Sequence, residues 1–295
     1  MTATVSPPSE LRAALIVARF VLRESLRRRI FVVIGLLTAV FLGLYGLATW
    51  QAFGASEELS AGNEFGVDPD TLIGATLAGL SLFAILFLGT ILAVFLTLGA
   101  VRGDAERGLL QPLLVRPLRR RTLLLGRWMG ATAVCAPYVI LVALAAFVIT
   151  DALGGWWPDR TLLPLLALAL GVAILAALSL AGSIVLPATA NGIAVFMLFG
   201  AGLTVGLLGQ IGEAISSDRL TRIADVGSWV LPFEGLYQTA LAELTADTIG
   251  FEKLAIDLGP FGGAESSGTA LWIFALAYLA AVGAAATAAL ARRDL

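Results

Sequence analysis

The chain has 295 residues, of which 59% are apolar and 14% charged, with a mean hydropathy of +0.93. Soluble domains carry about a quarter charged residues, so a water-soluble globule is excluded. There is no histidine, which removes imidazole triads, zinc sites and proton relays that depend on it. The single cysteine, Cys135, has no internal disulfide partner, and its apolar surroundings point to an inert buried thiol.

The N-terminal region, 1–29, reads as a cytoplasmic amphipathic elbow helix. Between Glu10 and Arg29 there is neither proline nor glycine. Leu11, Leu15, Ala18, Leu22 and Leu26 share one helical stripe, with Arg12, Arg19, Arg23 and Arg27 on the adjacent arc. A helix lying in the inner leaflet with its arginines at the lipid phosphates accounts for both features; a merely polar leader is the plain alternative. The arginine-rich start does not match a secretory signal, so no cleavage is expected.

A hydrocarbon core about 30 Å thick needs roughly 20 apolar residues of helix. Six runs qualify: Ile30 to Ala52, Leu72 to Val101, Leu123 to Ile149, Leu162 to Leu186, Ile193 to Ile211 and Thr269 to Ala291. The fold class is therefore all-α, a polytopic membrane protein with six transmembrane helices over 30–295. The second run exceeds what a bilayer requires and is expected to tilt or project.

Charge position sets orientation. Fifteen of the 19 basic residues fall in the N-terminal segment, the second connection with its flank, and the tail, while 16 of the 21 acids fall in the other connections. By the positive-inside rule both termini are cytoplasmic. Trp50, Trp156, Trp157, Trp229 and Trp272 then gather near the outer interface and Trp128 near the inner one, as an aromatic belt does.

The cytoplasmic connection 102–121 is the densest charge cluster, and it interleaves Leu109, Leu110, Leu113, Leu114 and Leu118 with arginines. An apolar patch in a basic frame marks a docking surface; an interfacial helix that binds only lipid is the alternative. The short fourth connection, Pro187 to Asn191, makes spans four and five a tight antiparallel pair. The external connection 212–268 is long yet apolar, with Pro232 as a breaker and a helical stretch after it that dips partly into the bilayer on one reading. Ala169, Ala173, Ala177 and Ala181, the series Ala277, Ala281, Ala285 and Ala289, and the pair Gly202 and Gly206 are small-residue ladders suited to close helix contact.

The spans carry no Asp, Glu or Lys, and Arg127 is their one Arg. Asn191, Thr97, Thr204, Ser179 and Ser183 remain, and helix packing explains them as well as a permeation path does. The only lysine, Lys253, lacks the glycines of a phosphate-binding loop. Nucleotide hydrolysis, if it drives this protein, belongs to another chain.

Gly103 to Gly130 reads GDAERGLLQPLLVRPLRRRTLLLGRWMG. It resembles the acidic-residue, Gly-Thr-Leu, Leu-Leu, x-Pro, Arg, Gly-Lys signature of type-two ABC exporter permeases of the single-chain, six-span kind. Glu106, Gly108, Leu109, Leu113, Leu114, Pro117, Arg119 and Gly126 occupy matching positions. The elbow, the external connection with Pro232 and Phe233, and the Arg292 to Asp294 tail resemble the same group. Leu109 stands where Thr is usual, Arg127 where Lys is usual, and Pro112 interrupts the segment, where it suits the first turn of a second short helix.

The resemblance implies a permease subunit without catalytic residues or metal, coupling ATP hydrolysis elsewhere to export. Its coupling residues would be Asp104, Glu106, Arg107, Gly108, Leu109, Leu110, Leu113, Leu114, Arg116, Pro117 and Arg119. Implied partners are two ABC ATPase subunits holding ATP and magnesium, a second copy or a similar permease, and membrane lipids, with no nucleic acid, in the inner or plasma membrane. A stand-alone secondary carrier is the rival reading. A membrane enzyme drawing on outer acids such as Glu234 and Asp225 is a third.

Overall fold

The computed structural model describes residues 14–19, 30–55, 68–98, 120–248 and 268–292. Its described residues are helical and turn, without strands. Six helices are long and apolar enough to cross a membrane: α1 (Ile30–Gly54), α2 (Pro69–Thr97), α3 (Arg120–Gly154), α4 (Leu162–Val185), α5 (Ala188–Ala214) and α8 (Gly268–Ala291). Between α5 and α8 lie two shorter helices, α6 (Asp218–Val230) and α7 (Pro232–Leu244). All six expected spans are present.

The longest is not the second run but α3, with 35 residues, or roughly 52 Å of helix. Counting only apolar residues clipped it at both ends, where Arg120, Arg121 and Asp151 continue the helix. Helix α2 stops earlier than Val101: its C-cap is Leu98, whose N–H donates to the Val94 carbonyl at 2.6 Å. At its other end, Asp68 accepts from the Asp70 N–H at 3.2 Å and Pro69 opens the first turn, where a missing N–H is harmless.

Successive spans alternate in direction, so the bundle has two ends. One gathers the ends of α1 and α3 with the starts of α2, α4 and α8, and carries Asp68, Asp70, Asp151, Asp159 and Asp247. The other gathers the start of α3 and the ends of α2, α4 and α8, with Arg120, Arg121 and Arg292. They are called the acidic and basic ends below.

Helix α4 is the hub, packed by α2, α3, α5, α7 and α8. Its residues from Gly171 to Ala177 are all buried, because a fully apolar helix surrounded by helices has no lipid face to keep. Close approach depends on glycine: a Cβ on Gly89 of α2 would stand 2.5 Å from a Val139 methyl on α3 and 2.9 Å from one on Val172 of α4. Helix α1 is peripheral. It is held to α3 by two hydroxyl pairs, Thr38 with Tyr138 at 2.7 Å and Tyr45 with Thr150 at 2.6 Å.

Residues 14–19 form a helical piece against the basic end of α3. A Cβ on Gly126 would meet Val17 at 2.6 Å and the Ala14 carbonyl at 2.8 Å, so Gly126 gives this piece its seat. Leu15, Ile16 and Arg19 are exposed. Arg12, Arg23 and Arg27 lie outside the described residues.

Two packing expectations are corrected. Spans four and five are close only at their turn, where the Asn191 side chain occupies the space a Gly182 side chain would need; farther along, α7 stands between them. The Trp128 indole N–H donates to the Ala173 carbonyl of α4 at 3.0 Å. Of the ladders, Ala173 and Ala177 are buried, whereas Ala277, Ala281 and Ala285 face outward and α8 buries Leu271, Ala275, Ala286 and Leu290 instead.

Candidate functional site

The site is built by a helical hairpin that turns back into the bundle. After α5 the chain reverses at Ser216, whose φ of +53° is the left-handed conformation a tight turn requires, and the Ser217 N–H returns to the Gly212 carbonyl at 2.7 Å. Helix α6 then runs antiparallel along α5. Glycines remove the side chains in the way: Gly212 against Leu220, Gly209 against Ala224, and Gly227 against Val205, with Cβ approaches of 2.9, 3.1 and 2.5 Å. At Leu231 the helix ends, and Pro232 begins α7.

Helix α7 runs back toward the acidic end, wedged between α4 and α5. Phe233 lies against Gly171 of α4, with its ring tip 2.6 Å from where a Gly202 Cβ would stand, and it stacks on Phe199 at 6.1 Å between centroids. One residue on, Glu234 is 2% exposed. Its Oε1 fills the space a Gly206 side chain would take, and it accepts from Gln238 Nε2 at 2.6 Å. The Gly202 and Gly206 pair is therefore a notch for Phe233, Glu234 and Gln238 within the same chain. Burial pushes the Glu234 carboxyl up to about 7, with the Gln238 bond pulling the other way. The buried Tyr237 hydroxyl is also raised, by desolvation first and by Glu234 second.

At the acidic end α7 is tied to the α3–α4 connection. The Asp159 N–H donates to the Leu244 carbonyl at 3.0 Å, and Asp159 Oδ2 accepts from the Asp247 N–H at 3.0 Å and the Thr248 hydroxyl at 3.1 Å. Arg160 donates to Glu243 at 2.8 Å and Asp247 at 3.3 Å; the Glu243 bond and both charges hold its guanidinium protonated. Beside these contacts opens a cleft of about 560 Å³ lined by Asp68, Asp70, Trp156, Trp157, Asp159 and Asp247, among others. Because Arg160 and Glu243 act through one another, Arg160→Gln and Glu243→Gln are expected to be non-additive. Hydrogen exchange of amides 241–248 should rise in either single variant and by little more in the double.

At the basic end several polar side chains of the spans meet, although Asn191 Oδ1 has no partner among the described residues. Thr97 donates to the Ala93 carbonyl at 2.7 Å and shares a hydroxyl–hydroxyl contact with Ser179, also at 2.7 Å, and Asn191 donates to the Ser179 carbonyl at 2.8 Å. Ser183 and, well along α5 beside the hairpin, Thr204 return to carbonyls of their own helices. These contacts join α2, α4 and α5 one residue before the described part of α2 ends.

Asp104, Glu106, Arg107, Gly108, Leu109, Leu110, Leu113, Leu114, Arg116, Pro117 and Arg119 lie outside the described residues. Glu234 stood in the sequence only as one outer acid among many, and Gly202 and Gly206 only as a small-residue pair. What joins them is Pro232, which sets where α7 starts, and that was the one local signal available. No group of three or more potential metal ligands occurs among the described residues.

A bundle of six long apolar helices with a helical hairpin folded back between α4 and α5 is a multi-pass membrane protein. The family model for ABC-2 family transporter proteins matches residues 15–295, and the chain belongs to that family: it is a permease subunit of an ABC transporter. No curated protein was found to match.

Proposed function

We propose that this chain is the membrane-spanning half of an ATP-driven exporter, joined to a second copy or a similar chain, and that two ABC ATPase subunits holding ATP and magnesium grip its segment 102–121. The observation that carries this reading is the shared seat of α2 and α3. The two helices that bracket the segment pack along each other and both lie against α4, which also carries α7. A push on the segment would therefore reach the hairpin through rigid, closely packed helices, a rigid-body mechanism without chemistry in this chain.

In this reading Leu109, Leu110, Leu113 and Leu114 bury against the ATPase. Asp104, Glu106, Arg107, Arg116 and Arg119 make charged contacts at the rim, and Gly108 and Pro117 shape the backbone. The segment faces the cytoplasm by its charge, the elbow arginines Arg12, Arg19, Arg23 and Arg27 hold lipid phosphate, and the location is the inner or plasma membrane.

The test is co-purification with an ABC ATPase from the same cells, and the ATPase rate of the complex. Leu109→Asp or Leu113→Asp is expected to release the partner, since a charge forced into a docking pocket costs several kcal/mol, and to remove the permease-dependent share of ATP hydrolysis. A variant that keeps the partner and an unchanged rate would sink the reading. Transport by the purified chain in liposomes without any ATPase would select the secondary carrier instead.

A further inference from the structure

We propose that Glu234 is a proton-operated latch: neutral, it stays seated in the Gly202–Gly206 notch and keeps the α6–α7 hairpin closed between α4 and α5, and on losing its proton it leaves the notch and frees the hairpin toward the acidic end.

The argument begins with what surrounds the carboxyl. At 2% exposure an ionised glutamate would need a cation or several donors to offset its lost hydration. Gln238 supplies one hydrogen bond, and its own Oε1 has no partner among the described residues. No basic residue is available on the spans that pack against α7. Helix α4 has no ionisable side chain, α5 only Glu213 at its far end, α2 only Asp70 at its acidic end, and α8 only Tyr278. On α7 itself are Tyr237, which is buried, and Glu243, which Arg160 engages. The charges of α6, Asp218, Arg219, Arg222 and Asp225, are all exposed. The notch therefore fits a neutral carboxylic acid and disfavours the carboxylate.

The geometry turns that preference into movement. Glu234 sits two residues after Pro232, at the reversal of the hairpin, so displacing it displaces the joint between α6 and α7. Closure at this point depends on a notch only two glycines long, with Phe233 beside it. The acid's ordinary value is 4.5 and burial raises it to about 7. The sign follows: docking is fully favoured below about 4.5, weakens about tenfold per pH unit up to 7, and is constant above, a total of about three hundredfold.

The test uses the full chain in lipid nanodiscs with Cys135→Ala and spin labels at two exposed positions, Val226 on α6 and Leu162 on α4. Distance distributions are recorded from pH 5 to pH 8.5. Wild type is expected to gain a longer-distance population as pH rises through the window below 7, and Glu234→Gln, which is neutral and nearly the same shape, to hold the low-pH distribution throughout. A wild-type distribution that does not change with pH, or a Glu234→Gln chain that moves as wild type does, would overturn the latch. The measurement needs neither an ATPase nor nucleotide, so its failure would leave the exporter reading intact and the converse also holds.

Discussion

Gly206→Leu is expected to drive the start of α7 out of the bundle and to abolish transport. A Cβ at this position would take the place of Glu234 Oε1 and stand 2.6 Å from Gln238 Nε2, and four side-chain carbons cannot be absorbed by one rotamer change. Overpacking of a well-filled interior costs about 3 kcal/mol or more, which is over a hundredfold in the ratio of docked to released hairpin. Leu236, which is 0% exposed, supplies the readout. With Cys135 replaced by Ala, a cysteine at position 236 should resist a soluble maleimide in the wild-type background and react readily when residue 206 is Leu. Equal protection in both backgrounds would show that the notch does not hold the hairpin.

Gly89→Leu is expected to have the larger effect on folding itself. Gly89 is where α2 approaches both α3 and α4, and a single added methyl group already falls within 2.9 Å of Val139 and Val172. Those neighbours are fully buried and branched at Cβ, so neither has a free rotamer to retreat into. Gly89→Ala should cost about 1–3 kcal/mol and lower the unfolding temperature in detergent. Gly89→Leu should not yield a monodisperse protein. Pairing Gly89→Ala with Val172→Ala should recover part of the loss, because the second change empties the space the first one fills; no recovery would mean that α2 and α4 do not meet as tightly as their contact implies.

The two substitutions probe different kinds of legibility. The spans were readable from local sums alone: each needs only enough apolar side chains in a row to offset taking a helical backbone into hydrocarbon. The errors came where that sum stops working. Arg120, Arg121 and Asp151 belong to α3 although no apolar count includes them, because a helix goes on past the bilayer as long as its backbone bonds are met. The outward-facing Ala277, Ala281 and Ala285 show the same limit, since a four-residue repeat names a stripe and not the partner it meets.

By itself the sequence determined a six-span helical membrane protein that resembles an ABC permease. The spans follow from counts and periods within windows of about twenty residues. Only the tertiary structure decided that α7 enters between α4 and α5, that Gly202 and Gly206 serve this hairpin, and that Glu234 is buried against them. Each of these depends on Gly171, Gly202, Gly206 and Phe233 converging across tens of residues of chain. Such convergence is set by three-dimensional packing, and no local window of hydropathy carries it.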